Sequence, residues 1–197
     1  MKKIMTTVMF SVVACAGCSQ PRAADREPSS ASLGTSVRMT NTAPTTLCRS
    51  NEVALFSCSI KESAKLASLC VSTDLSAKRG YAYYAFGTHK KVELRYPERP
   101  ASPLKVFQRT HLVYAGPTGA FAYSFLRSDV QYVLYSISGP ENFESQGVLA
   151  YRVGASAPLA NLKCKPGSVV ETEDPALTDF ILTWPENAEL AEHGLPF

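Results

Sequence analysis

Histidine is scarce in this chain of 197 residues: there are three, alongside one tryptophan and four methionines. A histidine-rich metal site therefore has little material. Neither sign of charge dominates, since 20 Lys and Arg face 17 Asp and Glu for a formal +3. That balance excludes nucleic-acid binding driven by bulk charge. No apolar run reaches the roughly 18 residues a bilayer-spanning helix needs. The contiguous signatures GxSxG, HExxH, the phosphate-cradling GxxxxGKS/T and a DxDxDG calcium loop are all missing. A Ser-His-Asp arrangement needs no contiguous motif, but the histidines are poorly placed for one. His89 falls in a polar turn, His111 shares a solvated strand face with Lys105 and Arg109, and His193 sits four residues from the C-terminus. Glu93 and Glu98 are the only acids between Asp74 and Asp129, which leaves little for a paired-carboxylate hydrolase. The expectation is a protein that is not an enzyme and needs no cofactor or metal.

The residues that are present make a globular composition, with 45% hydrophobic and 19% charged. The chain opens with Met1-Lys2-Lys3 and an apolar stretch of eleven residues, Ile4 to Ala14, followed by the small residues Ala16 and Gly17. Those are the n-region, h-region and cleavage signal of an export sequence. The motif Ala16-Gly17-Cys18-Ser19 resembles the lipobox of bacterial lipoproteins, with Cys15 where Leu or Val is commonest. The resemblance implies removal of residues 1–17 and lipidation of Cys18 on its sulfur. It also implies that Ser19 sorts the protein to the outer membrane, facing the periplasm. Val12-Val13-Ala14-Cys15 is an alternative box, and ordinary secretion with plain cleavage is another outcome. Two or three acyl chains anchor stably, because each buried methylene contributes about 0.8 kcal/mol. Loss of the leader with Lys2 and Lys3 lowers the formal charge from +3 to +1.

Residues 18–46 are rich in Ser, Thr, Ala and Pro and poor in large apolar side chains, which predicts a flexible tether. As a coil it spans roughly 30 Å. The folded part is expected over 47–185, with 186–197 as an acidic tail. It carries Cys48, Cys58, Cys70 and Cys164, an even number that an oxidising compartment turns into two disulfides. No pair has CxxC spacing, so zinc is disfavoured. Three pairings are possible. A tight turn around Ala64 between strands at 53–60 and 66–72 would set Cys58 opposite Cys70 and leave Cys48 to pair with Cys164.

Period-two alternation punctuated by turn residues runs through the middle of the chain. Val92, Leu94 and Tyr96 share one face, and Phe121, Tyr123 and Phe125 alternate with small residues. Val133, Tyr135 and Ile137 alternate with Tyr132, Leu134 and Ser136, the mark of a strand covered on both faces. Further strands are expected at 80–87, 104–114, 147–153 and 159–164, with a Pro-rich turn at Pro97-Glu98-Arg99-Pro100. The prediction is a mainly β fold, an antiparallel sandwich or barrel of about eight or nine strands. Asp174-Pro175 with Leu177, Phe180, Ile181 and Trp184 at helical spacing predicts one short C-terminal helix.

Charge is unevenly placed. Eight basic residues lie between Lys78 and Arg109, whereas seven acids and no Lys or Arg lie between Val170 and Phe197. The acidic end folding over the basic face is one reading. A basic patch of Lys90, Lys91, Arg95 and Arg99 for an acidic protein partner is the other. The plan of lipidated start, disulfides and β body resembles the periplasmic lysozyme inhibitors and immunity lipoproteins. Ser138-Gly139-Pro140-Glu141-Asn142-Phe143 resembles the serine-glycine loop with which some of these inhibitors plug an enzyme cleft, though it is one residue longer and ends in Phe instead of Tyr. The resemblance implies a protein partner, a peptidoglycan hydrolase in the sharpest form, met by Ser138 and Gly139. A structural or assembly lipoprotein of the envelope or a secretion complex is the alternative.

Overall fold

The structure is a computed structural model that describes residues 45–155 and 157–196. Cys15, Cys18, the export signal and the tether up to residue 44 lie outside the described residues. The fold is mainly β; the described residues form ten strands in two antiparallel sheets of five, with no closed barrel among them. The first sheet contains β1 (Glu52–Ser59), β2 (Leu66–Ser72), β3 (Ala82–Thr88), β4 (Lys91–Ala101) and β10 (Val170–Glu171), in the order β10-β1-β2-β3-β4. The second contains β5 (Gln108–His111), β6 (Gly119–Arg127), β7 (Val130–Ser138), β8 (Glu144–Arg152) and β9 (Ala160–Lys163), in that order. Two short helices follow, α1 (Pro175–Ile181) and α2 (Ala188–His193).

The main core joins the sheets. Phe56, Cys58, Leu69, Val71 and Tyr84 of the first sheet pack with Tyr123, Phe125, Leu134 and Val148 of the second. Phe125 is its hub. Its ring stacks on Tyr132 at 4.9 Å and Tyr96 at 5.0 Å, and meets Tyr84 at 5.2 Å and the edge of Phe107 at 5.5 Å. Full burial of such a ring contributes about 1.5–3 kcal/mol. Helix α1 starts where Pro175 follows the cap Asp174, whose Oδ1 accepts from the amides of Ala176 and Leu177. It seats Leu177 and Ile181 in the same core, with Trp184 just beyond.

Each sheet is also covered on its outer face. On the second sheet, Val133, Tyr135, Ile137, Leu149 and Tyr151 pack under Leu190 and Leu195, so β7 is buried on both sides as its alternation predicts. The stretch 186–197 is thus not simply a tail: Asn187 caps α2 by accepting from the Leu190 amide at 3.1 Å, and Leu190 is buried. On the first sheet, Tyr83, Ala85 and Cys70 are covered by Leu47 and Cys48 of the segment before β1.

Three expectations are corrected. The disulfides are Cys48–Cys70 and Cys58–Cys164. The hairpin closes Ile60 on Lys65 and sets Cys58 opposite Ala67, while Cys70 lies opposite Ala54. Cys58 and Cys70 therefore point to opposite faces of the sheet, since successive side chains alternate. Cys58 enters the inter-sheet core and meets Cys164, next to β9; Cys70 faces outward and meets Cys48. Second, 97–100 is not a turn, because β4 runs through it to Ala101. β4 is a sheet edge, where proline is tolerated because one side of the backbone needs no ladder partner. Third, 104–114 is only partly strand: Pro103–Lys105 form a 3₁₀ turn, and β5 covers four residues.

Candidate functional site

The structure places the six residues nominated from sequence in two separate regions. Lys90 and Lys91 are exposed at the β3–β4 hairpin, and Arg99 is exposed further along β4. Arg95 is half-buried, its guanidinium 3.9 Å from the centroid of the Tyr83 ring. It is held by a network at the first sheet's outer face. The Glu52 side chain is fully buried and accepts from the hydroxyls of Tyr81 and Tyr83 and from the Arg49 amide at 2.7 Å. Burial first, then the bond to Glu52, raises the Tyr83 hydroxyl far above its ordinary pKa. Arg95 thus belongs to packing rather than to an open basic patch.

Ser138 and Gly139 lie at the end of β7, in the connection to β8. Phe86 and Leu94, beside the basic hairpin, border a cavity shared with Val130 at the start of β7. Ser138 is eight residues away at the other end of that strand, about 27 Å at the usual rise. The lysines and the loop are not brought together.

The loop is held in a defined shape. The Gly139 amide donates to the Phe143 carbonyl at 2.8 Å, and the Phe143 amide donates to the Pro140 carbonyl at 3.0 Å. Between them Glu141 and Asn142 both occupy the left-handed region, with φ of 56° and 60°. Two consecutive non-glycine residues there cost about 1–3 kcal/mol each, and such strain clusters at functional loops. The loop presents Phe143 with 56% of its surface exposed. Val113, at 80% exposure, lies on the 112–118 connection, and Thr118 of that connection sits close against Gly139.

Behind Phe143 is a cavity of about 450 Å3, bordered by Tyr114, Thr118, Ile137, Ser145 and Lys163. Lys163 is positioned by a contact across three strands. Gly147 of β8 pairs with both Tyr135 of β7 and Lys163 of β9. Because Gly147 has no side chain, the Tyr135 ring lies over β8 and its hydroxyl accepts from Lys163 Nζ at 2.7 Å. The ammonium also sits 5.1 Å from the Tyr135 ring centroid. Ser138 borders a neighbouring acidic cavity of about 650 Å3 with Glu144, Glu171 and Glu173. Partial desolvation, reinforced by Glu144, raises the Glu171 carboxyl pKa, while a bond from Ser136 opposes the rise.

Sequence reading found the loop and missed Lys163, Tyr114 and Glu52. Lys163 sits on a four-residue edge strand, and nothing in its local pattern signals the tyrosine beyond Gly147. His89 lies in the β3–β4 turn, His111 on β5 and His193 at the end of α2, on separate elements. Among the described residues no three His, Cys, Asp or Glu side chains stand close enough to hold a metal ion. No protein-family model, curated protein or solved structure matches this chain.

Proposed function

We propose that the chain is an exported cell-envelope protein, anchored by lipid on Cys18 at the outer membrane and facing the periplasm. It acts as a non-enzymatic binding module that inhibits, or gives immunity to, a cell-wall-degrading enzyme. The observation that carries this reading is the strained, internally bonded loop 138–143, which presents Phe143 beside the Lys163 cavity. Phe143 supplies an apolar anchor of the type that dominates binding energy. Lys163 and the Ser145 hydroxyl meet acidic groups of the partner's cleft. Lys90, Lys91 and Arg99 act at longer range, raising the rate of approach to an acidic surface. Two disulfides accord with an oxidising compartment.

The test is capture by the oxidised full chain from a panel of purified cell-wall hydrolases, with their activity measured. The expected result is a one-to-one complex with loss of activity, abolished in Phe143→Ala at unchanged fold stability. If no hydrolase is bound or inhibited by the unmodified chain, the proposal falls.

A further inference from the structure

A second site lies at the other end of β7, under α2. Gln131 is only 6% exposed, yet its Nε2 finds no partner among the described residues. Tyr151, 2% exposed, stands directly opposite Gln131 in the β7–β8 register, and its hydroxyl also has no partner among the described residues. Leaving a buried donor unpaired costs about 1–3 kcal/mol, so each such group calls for an explanation. Apolar side chains fill the neighbouring positions of the same face, from Val133 and Leu149 to Ile137.

Gln131 borders a cavity of about 580 Å3 that also touches Lys105, Gln108, Asn187 and Glu189. Gln108 and Asn187 are already committed. The Asn187 amide nitrogen donates to Gln108 Oε1 at 3.3 Å, and Gln108 Nε2 donates to the Glu186 carbonyl at 3.1 Å. The uncommitted polar groups of the lining are therefore one buried donor, Gln131 Nε2, and one exposed charge of each sign, Lys105 and Glu189. Glu189 is near enough to add to the rise of the Tyr151 pKa to about 12, which burial chiefly causes.

We infer that this cavity binds a zwitterionic solute of amino-acid to short-peptide size. Its carboxylate accepts from Gln131 under the attraction of Lys105, and its ammonium faces Glu189. A carboxylate supplies the acceptor that Gln131 Nε2 lacks, and charge-assisted bonds of this kind are about twice as strong as neutral ones. The inference is independent of the inhibitor reading, because Gln131 and Phe143 belong to opposite ends of β7.

The experiment is a titration of the isotopically labelled full chain with dialanine, with its C-terminal amide and with its N-acetyl form. It follows the Gln131 side-chain amide by NMR. Dialanine is expected to shift that amide, and removing either terminal charge should weaken binding about tenfold, the effect of 1.4 kcal/mol. Gln131→Leu, followed through the backbone amides of 130–132 and 150–152, should abolish dialanine binding while keeping or raising the denaturation midpoint, since it removes an unpaired polar group. Lys105→Ala, which removes the attracting charge, should weaken dialanine binding several-fold, read on the Gln131 side-chain amide. A Gln131 amide that no probe moves, or undiminished dialanine binding in both variants, overturns the site. Neither result affects hydrolase capture by the Phe143 loop.

Discussion

Lys163 donates to the Tyr135 hydroxyl at 2.7 Å across a strand whose intervening residue is Gly147. A Cβ on Gly147 would stand 2.7 Å from that hydroxyl and 2.5 Å from the Leu162 carbonyl oxygen, and backbone cannot give way cheaply. Gly147→Ala should therefore cost about 1–3 kcal/mol and displace the ammonium from its cavity. Urea denaturation reads the first effect, and hydrolase capture reads the second. A variant of unchanged stability would mean that the three-strand contact is not what places Lys163.

The two disulfides should differ in worth. Closing 106 residues of separation between Cys58 and Cys164 corresponds by chain entropy to about 4.7 kcal/mol, and the 22 between Cys48 and Cys70 to about 3.4. Replacing each pair with alanine and comparing denaturation midpoints should show the larger loss for Cys58/Cys164. Peptide mapping of the oxidised protein should recover 48–70 and 58–164 and no 58–70 link.

The pairing is also where sequence reading stopped short. Alternation made most strands legible, and Asp174-Pro175 announced α1, because both signals are local. Register is not local. The hairpin turn spans Ile60 to Lys65, and Leu55 is an extra residue between the pairs Ala54–Cys70 and Phe56–Leu69. A three-residue difference in register sends Cys70 to the opposite face, since every odd slip exchanges the faces. Lys163, Gln131 and Glu52 were hidden for the same reason. Each owes its setting to residues distant in sequence: Tyr135 for Lys163, the facing strand β8 for Gln131, and Tyr81 and Tyr83 for Glu52.

Alkaline pH should unfold the protein in a defined window. Burial raises Tyr123 and Tyr151 to about 12, against an ordinary value of 10.0. The folded state holds these protons more tightly than the unfolded chain, so their contribution is whole below pH 10 and is lost as pH climbs toward 12. Denaturation midpoints should be level from neutrality to about pH 9.5 and fall steeply above it. In a spectrophotometric titration, the buried tyrosines should ionise together with unfolding instead of beforehand.

Helix α1 depends on its cap. Asp174→Ala removes the acceptor for the Ala176 and Leu177 amides, at 3.0 and 3.3 Å, and should cost about 0.5–2 kcal/mol. Asp174→Asn or Asp174→Ser should recover most of the loss in the same denaturation assay, which a purely electrostatic role would not allow.

The buried Glu52 should be the most sensitive polar position in the first sheet. Glu52→Ala strands the buried Tyr83 hydroxyl, at a cost of about 1–3 kcal/mol, and leaves the more exposed Tyr81 hydroxyl to water. Glu52→Gln keeps an acceptor and should fall between the two. A loss in Glu52→Ala no greater than that of an exposed Glu62→Ala control would refute the assignment.

The two crosslinks also decide how the domain carries force. From Thr45 the covalent route to Lys163 follows the chain through Cys48 to Cys58, crosses one bond to Cys164 and steps back a single residue. Tension between the N-terminal side and a partner gripping the Phe143 and Lys163 end thus bypasses most of the loop between the two cysteines. Most strands in that loop are spared the load; β2 is the exception, because Cys48–Cys70 shunts part of it there before it reaches β1. Under the proposed reading, force applied to a partner held at that end would reach the N-terminal side without unzipping the sandwich.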